Sequence, residues 1–428
     1  MTDATAMTET TATAPAAGIA EPKESFAEAI RDWWDGLRAG DVGSLPIVLG
    51  LVVIFAFFYA KNGNFIAPGN IVNLIVQMAG FTTIAVGVVF VLLLGEIDLS
   101  IGFVSGVCGV VAAKFVEPAG TASAWPVHAN GLLAIAAALA TGVAIGLLQG
   151  TIVVKIGIPS FVVTLAGLLA WQGVVLLVIG SSGTIPIQNK YINGIANKFF
   201  SQTTGIVLTG VGVGLYAATQ LLRLVGRRRA GLAVGSLGIV AVRIGALAVV
   251  GAFLDFWVYV KHWTPPAPGL PVVGLILAAL IVVASYVATR TRFGRHIYAV
   301  GGNAEAARRA GINVDRIRIA GFMIGSTLAA LGGVILASRL QSVDTEAGGG
   351  TLLLDSIAAA VIGGASLFGG RGHPKNAIFG ALVIAGLANG MGLLGYSAGV
   401  QDLVTGLILL AAVTVDALSR RRLAAVGR

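Results

Sequence analysis

Residues able to cut, transfer or ligate are sparse in this chain. His128, His262, His296 and His373 are scattered, and Cys108 is the sole cysteine. One cysteine makes no intrachain disulfide or cysteine-based metal cluster, and histidines so spaced give no local ligand pair, so no metal site is expected. GGRGHPKN over 369–376 is the nearest string to a G-x-x-x-x-G-K-[ST] phosphate loop, and it fails the spacing and the ending. No catalytic constellation stands out, and the chain does not read as an enzyme. Acids and small residues in apolar surroundings remain. Glu96, Asp98 and Ser100 lie between Gly95 and Gly102, and Asp355 and Ser356 precede Gly363 and Gly364. Acids at such places serve hinges, paths or caps, because an unpaired charge in hydrocarbon is expensive. Asp98 suits a cap for a helix starting near Leu99, while Glu96 stays open between an interfacial turn and a break within the membrane.

These residues must be positioned by membrane helices. Of 428 residues 56% are apolar and only 11% charged, against about 25% charged in a soluble chain. Mean hydropathy is +0.91. Glycine, at 60 residues, is abundant as in helices that pack closely in lipid. A span takes about 20 apolar residues. Twelve windows qualify: 44–60, 71–94, 99–116, 131–153, 158–180, 205–222, 231–260, 271–289, 317–337, 352–367, 377–394 and 400–418. The 99–116 and 352–367 windows are short enough to be partial or re-entrant. With the N-terminus inside, twenty-one basic residues fall on the inner side and five on the outer, which favours both termini in the cytoplasm. The net charge of +9 then reflects orientation; nucleic acid is not an expected partner and membrane lipid is. The fold expected is an all-α polytopic membrane protein of about twelve helices. Residues 1–43 form a cytoplasmic tail with an amphipathic helix over 26–38, 44–418 the transmembrane domain, and 419–428 a basic cytoplasmic tail.

The longest polar stretch between spans is 290–316. Within it Asn303 can cap a short helix. Glu305 sits in its first turn and Arg308 and Arg309 in its last, each favoured by the helix dipole. Ala304, Ala306 and Ala307 are strong helix formers, and Gly311 fits the left-handed position that ends a helix. Gly301 and Gly302 before it read as a flexible lead-in. So short a helix is marginal alone and gains by being held against something.

RFGRHIYAVGGNAEAARRAGI, over 292–312, resembles the coupling region of the monosaccharide branch of bacterial ABC-importer permeases, the ribose, xylose, galactose and arabinose group. LLGEIDLSIGFVSG (93–106), IGIPSFVVTLAG (156–167) and LLLDSIAAAVIGGASLFGGRG (352–372) resemble further segments of that family, in the same order, with Glu96 where a glycine is usual. The pair of windows over 205–260 is an insert on a ten-span pattern, closer to xylose-type or multi-sugar permeases.

The resemblance implies a permease subunit of the bacterial cytoplasmic (inner) membrane that carries a monosaccharide, xylose or a related pentose or hexose. It implies a second permease copy in a homodimer, a cytoplasmic ATPase subunit that binds ATP and magnesium, and an extracytoplasmic sugar-binding protein; the chain itself binds no cofactor. The ATPase would grip Gly301, Gly302, Asn303, Ala304, Glu305, Ala306, Ala307, Arg308, Arg309 and Gly311. Gly95, Glu96, Asp98, Ser100, Gly102, Asp355, Ser356, Gly363 and Gly364 are hinge or broken-helix candidates. Gly363, Gly364, Gly369, Gly370 and Gly372 form a second flexible corner. A sugar path wants amides, hydroxyls and an occasional aromatic, which singles out Asn73, Gln77, Thr164, Trp171, Gln172 and Asn389, with Thr82, Thr83 and Gln149 beside them. Interhelical hydrogen bonding is the competing role for each. The competing function is a twelve-span secondary transporter driven by an ion gradient.

Overall fold

The computed structural model describes residues 45–118, 125, 130–231, 237–259 and 268–425. The helix expected over 26–38 lies outside them. All twelve windows coincide with helices. In chain order these are α1 (Leu45–Lys61), α2 (Pro68–Leu93), α3 (Ile101–Val116), α4 (Gly131–Thr151), α5 (Ser160–Ile179), the short α6 (Lys190–Asn197), α7 (Gln202–Arg229), α8 (Leu237–Tyr259) and α9 (Val272–Arg290). Then come α10 (Arg292–Gly302), α11 (Ala304–Arg309), α12 (Val314–Leu340), α13 (Leu352–Ile362), α14 (Ala377–Leu393) and α15 (Ala398–Ala425). Among the described residues eight helices are long and apolar enough to cross a membrane; α1, α3, α13 and α15 offer only shorter apolar stretches.

Local chemistry sets the boundaries. Pro68 opens α2 at a position whose N–H needs no helical partner. Side chains of Asn130, Asn189, Thr291, Asn303 and Asn313 accept backbone N–H groups at the starts of α4, α6, α10, α11 and α12. A π-turn over Ile152–Ile156 extends α4 and stops at Gly157, whose φ of 79° is left-handed.

Contacts divide the chain into two compact units. One holds Ile206–Leu254, and the other joins Gly43–Gly205 to Asp255–Arg428. In the first, α7 and α8 are apolar helices of 28 and 23 residues that leave most of their faces uncovered, and Gly251 lets Thr209 approach closely.

In the larger unit α12 is the central mast, and small residues set its spacing. Gly142, Gly146 and Gly150, one per turn of α4, meet Ser326, Phe322 and Ile319 of α12. On α2, Gly80 and Gly87 meet Gly332 and Gly325, and on α3 Gly109 meets Gly333. Close backbone approach of this kind is how helices associate where lipid removes the hydrophobic drive. Two antiparallel ribbons, not expected from the sequence, tie the ends of helices together. Strand β1 (Thr184–Pro186) pairs with β4 (Ser342–Asp344), Ile185 opposite Val343, and β2 (Phe199–Phe200) pairs with β3 (Leu270–Pro271). They are too short for alternation to signal them in a sequence.

Candidate functional site: the coupling helix and the broken span

Helix α11 forms as its residue pattern expects. Asn303 Oδ1 accepts the Ala306 N–H at 2.9 Å, Gly311 takes φ 83°, and Glu305 pairs with Arg308 at 3.4 Å and Arg309 at 3.2 Å. Its charged face is open, with Glu305, Arg308 and Arg309 side chains 59%, 60% and 80% exposed. Ala307 alone is buried, anchoring the helix from below.

The lead-in differs from expectation. Gly301 and Gly302 are not a flexible joint but the last turn of α10, a second helix within 290–316. Its signal was present: Phe293, Ile297 and Val300 recur at helical spacing after Thr291, and the latter two are buried. Gly301 is there for space. A Cβ on it would overlap the Leu93 carbonyl oxygen and stand 2.8 Å from Gly370 N. Gly302, by contrast, has open space where a Cβ would go.

The three glycine corners that are far apart in sequence thus meet at one place. Gly370 N–H donates to Leu93 O at 2.9 Å. A Cβ on Gly369 would lie 2.8 Å from Gly301 O and 2.9 Å from Gly95 Cα. Tyr298 Oη donates to Gly372 O at 2.6 Å, binding α10 to the last corner. The corner over 363–372 is accordingly packed rather than loose. Burial raises the Tyr298 pKa and lowers that of neighbouring His373, which Lys375 depresses further.

From this knot the chain enters the break between α2 and α3. Gly95 turns it with φ 76°. Glu96 then forms an ion pair with Arg318 of α12 at 3.1 Å, with the two side chains 11% and 34% exposed. Asp98 Oδ1 accepts Ser100 N–H at 2.9 Å and Ser100 Oγ–H at 2.7 Å. The cap position of α3 falls on Ser100, not on Asp98 as expected, because the helix begins at Ile101; Asp98 instead holds the turn that leads into it. Thr164 Oγ1 reaches Ile97 O at 3.2 Å from α5. Gly102 starts α3 against Gly348 and Leu353.

The other hinge candidates stand apart. Asp355 Oδ2 accepts from Thr351 Oγ1 at 2.8 Å in the first turn of α13. Ser356 donates to Leu352 O at 2.8 Å. Gly363 approaches the Asn376 carbonyl, and Gly364 takes φ 88° at the end of α13.

The path candidates do not converge. Asn389 and Asn70 exchange amide hydrogen bonds of 2.7 and 3.0 Å between α14 and α2, so Asn389 is held in an interhelical pair. That pair and Thr164 lie near opposite ends of α2, whose 26 residues span about 39 Å. Asn73 is exposed and Gln77 half-buried on α2, and Trp171 and Gln172 are half-buried on α5. Thr82 and Thr83 bond back to their own helix. Among the described residues no group of His, Cys, Asp and Glu could hold a metal ion.

The structure is a multi-pass helical bundle in which α10, leading into the exposed charged helix α11, packs through Gly301 against the end of α2. The chain belongs to the family described as branched-chain amino acid transport system / permease component, which it matches over residues 70–413. It is 36% identical over 392 residues to the xylose transport system permease protein XylH of Escherichia coli strain K12, covering 91% of this chain and 95% of that protein. The XylH protein of Haemophilus influenzae strain Rd is 34% identical over 383 residues, 88% of this chain and 96% of that one. The ribose import permease protein RbsC of Escherichia coli strain K12 is 33% identical over 371 residues, 86% and 92% of the two chains. No solved structure matches. The chain is a multi-pass inner-membrane permease of the xylose and ribose type of monosaccharide ABC importers, as its four motifs indicated.

Proposed function

We propose that this chain carries a monosaccharide, xylose or a related pentose or hexose, across the inner membrane as one half of a homodimeric path. A separate ATPase, holding ATP and magnesium, grips α11 on the cytoplasmic side, and a sugar-binding protein delivers substrate to the opposite face. Twelve crossings with both termini cytoplasmic put every arginine-rich segment on the ATPase side, in keeping with the positive-inside rule. The chain needs no cofactor of its own for this work.

The observation that carries the coupling is the Gly301–Leu93 contact. Displacement of α11 passes into α10, whose Gly301 has no side chain to cushion it from the backbone at the end of α2. Packed backbones are stiff, so the push arrives at Gly95 and the α2–α3 break without being absorbed. Uptake of labelled xylose into proteoliposomes holding the permease, its ATPase and its binding protein tests the reading. Uptake that needs ATP and all three parts supports it. Uptake driven by a proton or sodium gradient without ATP would establish the secondary-transporter alternative instead.

A further inference from the structure

Beside the α2–α3 break lies a polar cluster that the coupling contacts do not use. Gln149, near the end of α4, donates through Nε2 to Ser100 Oγ at 2.7 Å, and Ser100 Oγ donates to Asp98 Oδ1 at 2.7 Å. Gly167 of α5 makes room for them. A Cβ there would stand 2.5 Å from Gln149 Nε2 and 3.2 Å from both Ser100 Cβ and Trp171 Nε1. Two helices and the break therefore bring an acid, a hydroxyl, an amide and an indole to one point.

The cluster is not satisfied by the protein. Asp98 Oδ2, Gln149 Oε1 and Trp171 Nε1 are buried and accept or donate no hydrogen bond. Asp98 is 5% exposed and Gln149 2%. Buried polar groups without partners are costly and rare, and each asks for a reason. Two of the open atoms are acceptors and one is a donor. A hydroxyl both donates and accepts, so neighbouring hydroxyls on one molecule match the set. A carboxylate or phosphate would bring like charge against Asp98, and an ammonium offers no acceptor to Trp171. The indole adds an apolar surface for a ring face.

We infer that Asp98, Gln149 and Trp171 form a binding subsite for a hydroxylated solute beside the broken span, reached as the α2–α3 turn moves. This rests on the sugar-permease reading and deepens it. A subsite at the break, against the very turn that α10 presses, ties solute occupancy to the coupling movement.

The test is uptake of D-xylose and its monodeoxy analogues by the reconstituted permease with its ATPase and binding protein, for wild type, Trp171→Phe and Gln149→Ala. The binding protein is common to all and drops out of the variant-to-wild-type ratio. Trp171→Phe keeps the ring and removes only the N–H, so the membrane bundle is spared. Each variant is expected to raise KM for xylose about three- to tenfold, the range of one lost hydrogen bond. That penalty should vanish for the analogue lacking the hydroxyl the residue holds. Equal losses for every analogue would mean a purely structural role and overturn the subsite, as would wild-type kinetics in both variants. Failure of the wild type to move any monosaccharide with ATP would overturn the sugar reading itself.

Discussion

The Gly370 amide donates to the Leu93 carbonyl at 2.9 Å, across 277 positions of chain, at the same oxygen that Gly301 abuts. One carbonyl at the end of α2 thus receives both the helix that precedes α11 and the glycine corner that follows α13.

Gly301→Ala should be disruptive where Gly302→Ala is not. The added methyl at Gly301 meets backbone, which yields poorly, and overpacking of this kind costs about 1–3 kcal/mol. Gly302 has no atom within reach of a Cβ. Thermal unfolding in detergent and the ratio of sugar moved to ATP hydrolysed should separate the two variants; equal behaviour would rule out the contact as the transmission point.

Replacing Glu305, Arg308 and Arg309 together by Ala should abolish coupled uptake while leaving the protein folded. Exposed ion pairs contribute about 0–1 kcal/mol, so the melting temperature should barely move. Membrane yield, melting temperature and ATPase-linked uptake check this, and wild-type coupling in the triple variant would remove α11 from the ATPase interface.

Glu96→Gly restores the residue usual in the resembling family and leaves Arg318 without its ion-pair partner. A partly buried charge so stranded should cost about 1–3 kcal/mol. A double-mutant cycle with Arg318→Gln measures the pair directly. A coupling energy near zero would make Glu96 incidental to the break.

Asn389→Ala should destabilise without altering sugar preference, because Asn389 is engaged with Asn70 rather than turned to a solute. Interhelical hydrogen bonds in membranes average about 0.6 kcal/mol and reach about 1.7. A changed ratio of xylose to ribose uptake in this variant would return Asn389 to the path.

His373 gives a pH signature. Burial, with Lys375 beside it, holds its folded pKa below the ordinary value of 6.5. At pH above 6.5 the ring is neutral folded or unfolded, and the stability is whole. As pH falls from 6.5 through the lower folded value the unfolded chain takes the proton first, so stability declines and stays lower beneath it. Melting temperatures from pH 7.5 to 5 should fall more in wild type than in His373→Asn. Identical slopes would show that His373 titrates freely.

Much of this was legible in order of residues. Twelve apolar windows became twelve helices because a span is a local property: length, apolarity and bounding Pro or Gly fix it without reference to partners. Helix α11 was legible for the same reason, since Asn303, Glu305, Arg309 and Gly311 act within a few residues of each other. Helix α10 was signalled by Phe293, Ile297 and Val300, but its glycines read as slack, since the constraint on Gly301 comes from Leu93, some 200 residues away. The amide pair of Asn70 and Asn389 was equally hidden, because a polar side chain in an apolar helix looks the same whether it faces a solute or a neighbour. By itself, then, the sequence determined the all-α class, the apolar helices and the short capped helix α11, all set by short-range chemistry. Only tertiary structure decided that residues 93–95, 301 and 369–370 share one contact, and which polar groups are partnered, because packing between distant helices decides what fills the space beside a glycine.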